Sequence, residues 1–474
     1  MKYCSVRGLE KDISFKDVLF RGYAKDGGLY MPQTIPFVSE DKLKEMKKFS
    51  YSEVVKMILR LFIDESEIST DDLNSLVKSA HSQFEIPEII KFAKLNEDLL
   101  IAELFHGETL TFKDLALSVV GRLFEYFLKQ NNKHTIILVG TSGDTGSSAI
   151  SSVRGLQGID IIVLYPKNNC TKIQELQMIT FTDSNVHCFA VDGSSDELDA
   201  PIKKCFADFE LVVKHNISSL NSINWSRIAV QIAHYFYLYL QLCSQDESLE
   251  VIVPSGAAGN LTAGLLANLM GLPITLVAST NSNKCVSEFL RRGEIKTGNK
   301  AHPTLAPAMD IQMPYNLERL VFLVSNGDFK LLESFGSAFD NNRNIKLPDI
   351  ILNKLKEVII DAESFSDDVI TNTIRKCWQE NSYRVCPHTA TAVAYHYKHK
   401  KTRGSIRVCL ATASADKFPD ALISSQVPPN INSKIECLFK LDKKFVRMQV
   451  GENWFSILKN KIEEIGNQYS VLAS

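Results

Sequence analysis

The segment Ile136–Ile150, "IILVGTSGDTGSSAI", decides the fold. An apolar, β-branched run stops at Gly140, glycines follow at Gly143 and Gly146, and small helix-compatible residues take over from Thr145. Strand, glycine turn and helix in that order form the opening half of a βαβ unit, and the rhythm repeats. Thr135–Val139 precedes Thr145–Val153, Ile159–Tyr165 precedes Lys172–Met178, and Val186–Val191 precedes Leu198–Phe206. Further on, Val251–Val253 leads into a helix from Asn260, and Ile274–Val277 follows. Such alternation predicts an α/β fold with parallel sheets covered by helices.

A long helix over about Ile223–Leu242 separates the early units from the later ones, so two α/β lobes are expected, with the ligand cleft between them. Its aromatic run "AHYFYLYLQL", Ala233–Leu242, reads as a buried helix. Ahead of the first unit the spacing is mainly helical, with a turn at Gly27-Gly28. After Pro428-Pro429 the chain becomes polar, strand-like and then helical. The expected division is a mainly helical N-terminal region over 1–98, a two-lobed α/β core over 99–427 and a C-terminal appendage over 428–474.

Composition narrows the partners. In 474 residues, 53 Lys and Arg nearly cancel 55 Asp and Glu, so no net field draws the chain to nucleic acid. The basic run Lys398–Lys401 is short and reads as a solvated helix end. The N-terminal residues have no apolar stretch of signal-peptide length, and the apolar tract Leu261–Ala278 is broken by Asn268 and Pro273, so no membrane span is expected. Ten scattered cysteines without CxxC spacing fit no metal site and suit a reducing, cytoplasmic location.

The chemistry lies in two loops and one amine. Gly140–Gly146, and Gly256 with Gly259 in "VIVPSGAAGNLTAG" (Val251–Gly264), both join a strand to a helix. Backbone N–H groups at such a junction converge on one point, and the helix dipole adds positive potential, so each loop is a candidate anion cradle. Neither has dinucleotide or P-loop spacing. Lys113 opens an amphipathic run just after the polar turn "HGETLT", His106–Thr111. A reactive lysine with two anion sites suits pyridoxal phosphate, the lysine forming a Schiff base, one loop taking the cofactor phosphate and the other a substrate carboxylate. An ordinary solvated lysine is the competing reading.

The segments "FHGETLTFKDLA" (Phe105–Ala116), "TSGDTG" (Thr141–Gly146), "NSINWSR" (Asn221–Arg227), "MDIQMPYNLER" (Met309–Arg319) and "TASADKFP" (Thr412–Pro419) resemble, in order, the signatures of the threonine synthase family. "YAKDGGLYMP" (Tyr23–Pro32) is similar to its N-terminal segment. "GAAGN", "CPHTA" (Cys386–Ala390) and "TASADKF" look most like the threonine synthase-like 2 branch. The resemblance implies a pyridoxal-phosphate fold of type II, similar to the tryptophan synthase β chain. It implies Lys113 as the Schiff-base lysine, Gly256, Ala257, Ala258, Gly259 and Asn260 around the cofactor phosphate, and Thr412 facing the pyridine nitrogen. For a small phosphorylated amino acid it implies Ser142, Gly143, Asp144 and Thr145, with Asn221, Asn224 and Arg227 near the departing phosphate.

The branch further implies phosphate elimination from phosphohomoserine or phosphothreonine to 2-oxobutyrate and ammonia. A true threonine synthase, and a non-enzymatic protein that keeps the fold, are the alternatives. Glu108, Thr111 and Asp416 depart from the family pattern, and Glu108 and Thr111 are expected to alter the pocket beside the lysine. His106 and His388 are as well explained by loop hydrogen bonds as by ligand contacts. No oligomeric state follows from the sequence.

Overall fold

The computed structural model describes residues 1–472 apart from 97, 168, 194, 245–246, 297–300, 342, 402–403 and 431. Two sheets organise the α/β part, as the strand rhythm predicts. The larger runs Ile359–Ser364, Ile274–Thr280, Ser248–Pro254, Ser405–Ala411, Leu100–Glu103 and Lys91–Lys94. Its pairs are parallel except the last, which is antiparallel. The smaller runs Val446–Met448, Val186–Val191, Ile159–Pro166, Thr135–Gly140 and Ile217–Ser219, all parallel. Central strands such as Ile159–Pro166 are buried along their whole length, which is why they read as largely apolar runs instead of alternating ones; the buried Asp160 is paired with His134 and His187.

The N-terminal region is mainly helical. Helices Glu40–Met46, Tyr51–Phe62 and Thr70–His81 each start at a serine whose hydroxyl accepts a backbone N–H, and Ser50 forms a capping box with Glu53. Tyr3–Ser5 and Tyr30–Pro32 add a small antiparallel pair that the helical spacing did not announce.

The divisions expected at 98/99 and 427/428 do not follow the sheets. Lys91–Lys94 already belongs to the larger sheet, and Val446–Met448 extends the smaller one. Leu458, Ile462 and Ile465 of the C-terminal helix Trp454–Leu472 pack on Ile136, Leu138 and Ile162 of that sheet.

The central helix begins at Trp225 rather than Ile223, because Asn224 adopts extended geometry and its side chain accepts the Ser226 N–H as N-cap. Residues Trp225–Leu240 are buried on every face. Helix Lys113–Asn131 packs against helix Asp144–Val153 through Gly121, where a Cβ would lie 2.3 Å from the Ser152 carbonyl oxygen. That close approach brings the two helix N-termini, bearing Lys113 and Asp144, to one place. Among the described residues no helix is long and apolar enough to cross a membrane.

Candidate active site

A cavity of about 200 Å³ lies where these helix N-termini meet the larger sheet. Lys113, Ser142, Asp144, Thr145, Asn221 and Arg227 line it, as do Gly256 to Asn260 and Thr412. Parts of the chain separated by up to three hundred residues therefore share one space. A wider cleft of about 1000 Å³ adjoins it, the two having Tyr23, Lys203 and Tyr315 in common.

Lys113 is set by the turn before it. The Thr109 N–H and hydroxyl donate to the Asp114 carboxylate at 2.9 and 2.6 Å, and a Cβ at Gly107 would fall 2.4 Å from that side chain, so the turn needs glycine there. The Phe112 N–H donates to the Thr412 carbonyl at 2.8 Å, which ties the lysine to the end of strand Ser405–Ala411. The Lys113 Nζ lies 3.6 Å from Asp144 Oδ2, with its side chain 11% exposed. Burial lowers its proton affinity; Asp144 opposes this, and Arg227 and Lys417 reinforce it.

Around the second loop, Ala258 takes a left-handed backbone (φ 59°), and helix Gly259–Leu269 begins with no side-chain cap. Its first N–H groups are thus available to an anion. A Cβ on Gly256 would come 2.5 Å from the Ala308 carbonyl oxygen, so only glycine lets this loop lie against its neighbour. Asn316 holds the loop, its Nδ2 donating to the Ala257 carbonyl at 2.9 Å and to Ser222 Oγ at 3.0 Å. Arg319, fully buried, fixes Asn316 and donates to the carbonyls of Tyr30, Ser222 and Ile223.

Not every residue singled out in the sequence reaches the cavity. Asn224 is spent as the cap and on the carbonyls of Leu19 and Ser219, and it does not line the space. Gly143 also lies behind the lining; its φ of 135° and a Cβ position 2.6 Å from Gln174 make it a turn residue. Asn221 lines the cavity, but its amide is paired with both the N–H and the carbonyl of Gly140. Asp144 is a buried carboxylate held by Lys417 at 2.7 Å, which disagrees with a direct part in cradling an anion.

Glu108 faces outward, accepting from the Ser151 hydroxyl and from Arg154 at 3.1 Å, so it does not reshape the cavity. Thr111 donates to the Thr412 carbonyl at 3.2 Å, and Asp416 is half-buried beside Asn430. His106 pairs with Glu103 at 2.8 Å away from the lining, whereas His388 lines the cavity, its Nε2 accepting the Ala308 N–H at 3.1 Å. Burial pushes His388 down to about 4, so it is neutral at ordinary pH.

A family model described as "Threonine synthase N terminus" matches residues 2–81, and one described as "Pyridoxal-phosphate dependent enzyme" matches residues 86–331. Threonine synthase-like 2 of Xenopus laevis is 46% identical over 99% of both chains, and that of Mus musculus 44% over 99% of this chain and 98% of its own. The chain belongs to the threonine synthase family.

Threonine synthase of Schizosaccharomyces pombe is 34% identical over 98% of each chain. The solved pyridoxal-phosphate-bound threonine synthase from Brucella melitensis superposes with a TM-score of 0.90 at 31% identity, covering 98% of this chain and 99% of that one. Yeast threonine synthase gives 0.88 at 33%, covering 98% of each. This family member therefore has the two-lobed pyridoxal-phosphate fold of type II with a mainly helical N-terminal region, and it is a pyridoxal-phosphate-dependent lyase.

The cavity fits that cofactor on its own evidence. Arg227 Nε, Gln231 Oε1, Asn260 Nδ2 and His388 Nδ1 are buried without a hydrogen-bond partner, and all four side chains line the space. Orphaned polar atoms around a glycine cradle and a buried amine match a phosphorylated, polar ring. Sequence reading missed Lys417, Asn316 and Gln231. Lys417 and Asn316 lie inside quoted signatures, but nothing in their local spacing marks them as buried.

Proposed function

We propose that this enzyme eliminates phosphate from a small phosphorylated amino acid, phosphohomoserine or phosphothreonine, giving 2-oxobutyrate, ammonia and phosphate with consumption of one water. The observation that carries this reading is the higher identity to threonine synthase-like 2 proteins, 44–46%, than to the S. pombe threonine synthase, 34%. That branch is the one whose resemblance implies elimination.

Bound at Lys113, the cofactor supplies a ring that withdraws electrons from an attached amino acid and makes its Cα proton acidic. The chain's residues do the rest. The free Lys113 amine takes the Cα proton, its proton affinity lowered by burial so that it can act as base near neutral pH. With phosphate on Cβ that step permits elimination; with phosphate on Cγ a further proton must leave Cβ.

Gly256 to Asn260 hold the cofactor phosphate at the start of helix Gly259–Leu269. Thr412, an uncharged hydroxyl residue, suits the pyridine nitrogen without forcing a proton onto it. Ser142 and Thr145 receive the substrate carboxylate, and Asn221 fixes their loop through Gly140. Arg227 receives the departing phosphate. Burial pushes its guanidinium down to about 10, which leaves it cationic at pH 7.

All ten cysteines are free thiols, in keeping with a cytoplasmic location. A true threonine synthase is the second reading, favoured by full-length likeness to solved threonine synthases. The test is product analysis: incubation with each phosphorylated amino acid, phosphate assay and proton NMR. The lyase gives 2-oxobutyrate and ammonia in step with phosphate; threonine from phosphohomoserine would overturn it.

A further inference from the structure

Lys417 has no part in the mechanism above, yet it is completely buried and paired with the carboxylate that faces the lysine that does. It closes the short helical turn Ala415–Lys417 just after Thr412, and its carbonyl accepts the Thr171 hydroxyl at 3.0 Å. Its Nζ lies 2.7 Å from Asp144 Oδ1 and 2.7 Å from the Thr109 carbonyl. Asp144 Oδ1 also accepts from Gln174 Nε2 at 2.8 Å, while Oδ2 faces Lys113 at 3.6 Å and the Thr111 hydroxyl at 3.4 Å. One carboxylate therefore stands between two ammonium groups, close to one and looser on the other.

We infer that Lys417 is a positioning residue that neutralises Asp144 and keeps it from clamping Lys113 as an ammonium ion. The inference rests on Lys113 being the cofactor lysine, and it goes beyond that assignment by naming what leaves its amine free. The reason is charge balance in a dry site. With Lys417 and Asp144 both ionised, the pair is neutral and Lys113 can lose its proton without leaving a lone buried charge. Without Lys417, the balance needs Lys113 to keep its proton for Asp144.

Other titratable groups surround the pair. Arg227 and His388 face Lys113, and Asp114 and His388 lie near Lys417. Arg227 repels an ammonium on Lys113, and the buried Asp114 carboxyl has its proton affinity raised by burial. Burial favours protonating Asp144 as well, but Lys417 and then Lys113 outweigh it and hold the carboxyl far below the usual range. A purely structural ion pair would join the same elements without affecting the proton on Lys113. The test must therefore read that proton.

Full-length holoenzyme would be prepared as parent, K417Q, K417M, K417R and D144N/K417Q. Each would be stripped of cofactor and reloaded with pyridoxal phosphate over a range of pH, with the rate followed by the visible absorbance of the lysine-bound cofactor. The pH profile of kcat would be recorded in parallel. Addition to the cofactor aldehyde needs the neutral amine, so both profiles report its proton affinity. K417Q and K417M should shift both limbs alkaline by at least about one pH unit, roughly tenfold slower at pH 7 with recovery at higher pH. K417R should keep the parent limb, and D144N/K417Q should return it to the parent position or below.

An unshifted limb in K417Q, or a shift that persists in D144N/K417Q, would overturn the inference. Loss of fold in K417Q and K417M, with K417R folded, would overturn it in favour of a structural role. A K113A protein that still gained the absorbance would instead fail the cofactor-lysine assignment, a different result from any of these.

Discussion

The Nζ of Lys113 lies 3.6 Å from Oδ2 of Asp144, the first residue of the helix that follows the glycine turn. The amine thus faces a carboxylate of the cavity lining that is already paired with another lysine, Lys417. Substituting Lys113 by Ala should leave a folded protein that lacks the absorbance of lysine-bound cofactor. Its turnover should fall by roughly 10²–10⁴-fold from lost proton transfer alone. Spectra and phosphate release check this, and parent-like turnover would contradict it.

Gly121 sets that meeting of helices. In Gly121→Ala the new methyl would press on the Ser152 carbonyl at 2.3 Å, a backbone atom that cannot rotate away. Overpacking of this kind costs about 1–3 kcal/mol, against about 1 kcal/mol gained from the better helix propensity of alanine. Urea unfolding should therefore show net destabilisation, accompanied by weaker cofactor binding as Lys113 and Asp144 move apart. A more stable variant would contradict this packing.

Gly256→Ala tests the cradle separately from the lysine. Its methyl would meet the Ala308 carbonyl at 2.5 Å and push the loop out of place. Affinity for pyridoxal phosphate should drop at least about tenfold, equivalent to roughly 1.4 kcal/mol. Titration of stripped protein measures it, and unchanged affinity would separate this loop from the cofactor.

Outside the cavity lining, burial holds His234 at about 3 and His81 at about 4, both below the usual 6.5. Below about pH 6.5 the unfolded chain takes up protons that the folded one refuses, so these groups cost stability as pH falls towards their folded values. His234 has both ring nitrogens unpartnered. His234→Leu should gain on the parent as pH falls from 7 to 4, by roughly 3 kcal/mol. Comparing variant with parent cancels the opposite trend of Glu318 and Asp310, raised by burial to about 7 and about 6. A pH-independent difference would refute the burial argument.

Much of the fold was legible because buried parallel strands must be largely apolar, as Thr135–Gly140 and Ile159–Pro166 are. Edges were less so. Lys91–Lys94 is too short and polar to stand out, and it is a strand because Leu100–Glu103 offers it a free edge. At the site, glycine turns and an amine were visible in local spacing, whereas Lys417 looks like any surface lysine until Asp144 is placed against it. The one available signal was Asp144 itself, an acid in a presumed anion loop that needs a cation to be buried. Asn224 also has a simpler reading in the sequence: an asparagine ahead of Trp-Ser-Arg at a helix start is a cap.

The most direct test of the central claim is to treat the cofactor-loaded protein with borohydride, which fixes lysine-bound pyridoxal phosphate covalently, and to map the modified peptide by mass spectrometry. The account predicts the label on Lys113 in the peptide containing "TFKD" (Thr111–Asp114). A label on Lys417 or on any other lysine, with Lys113 unmodified, would contradict it.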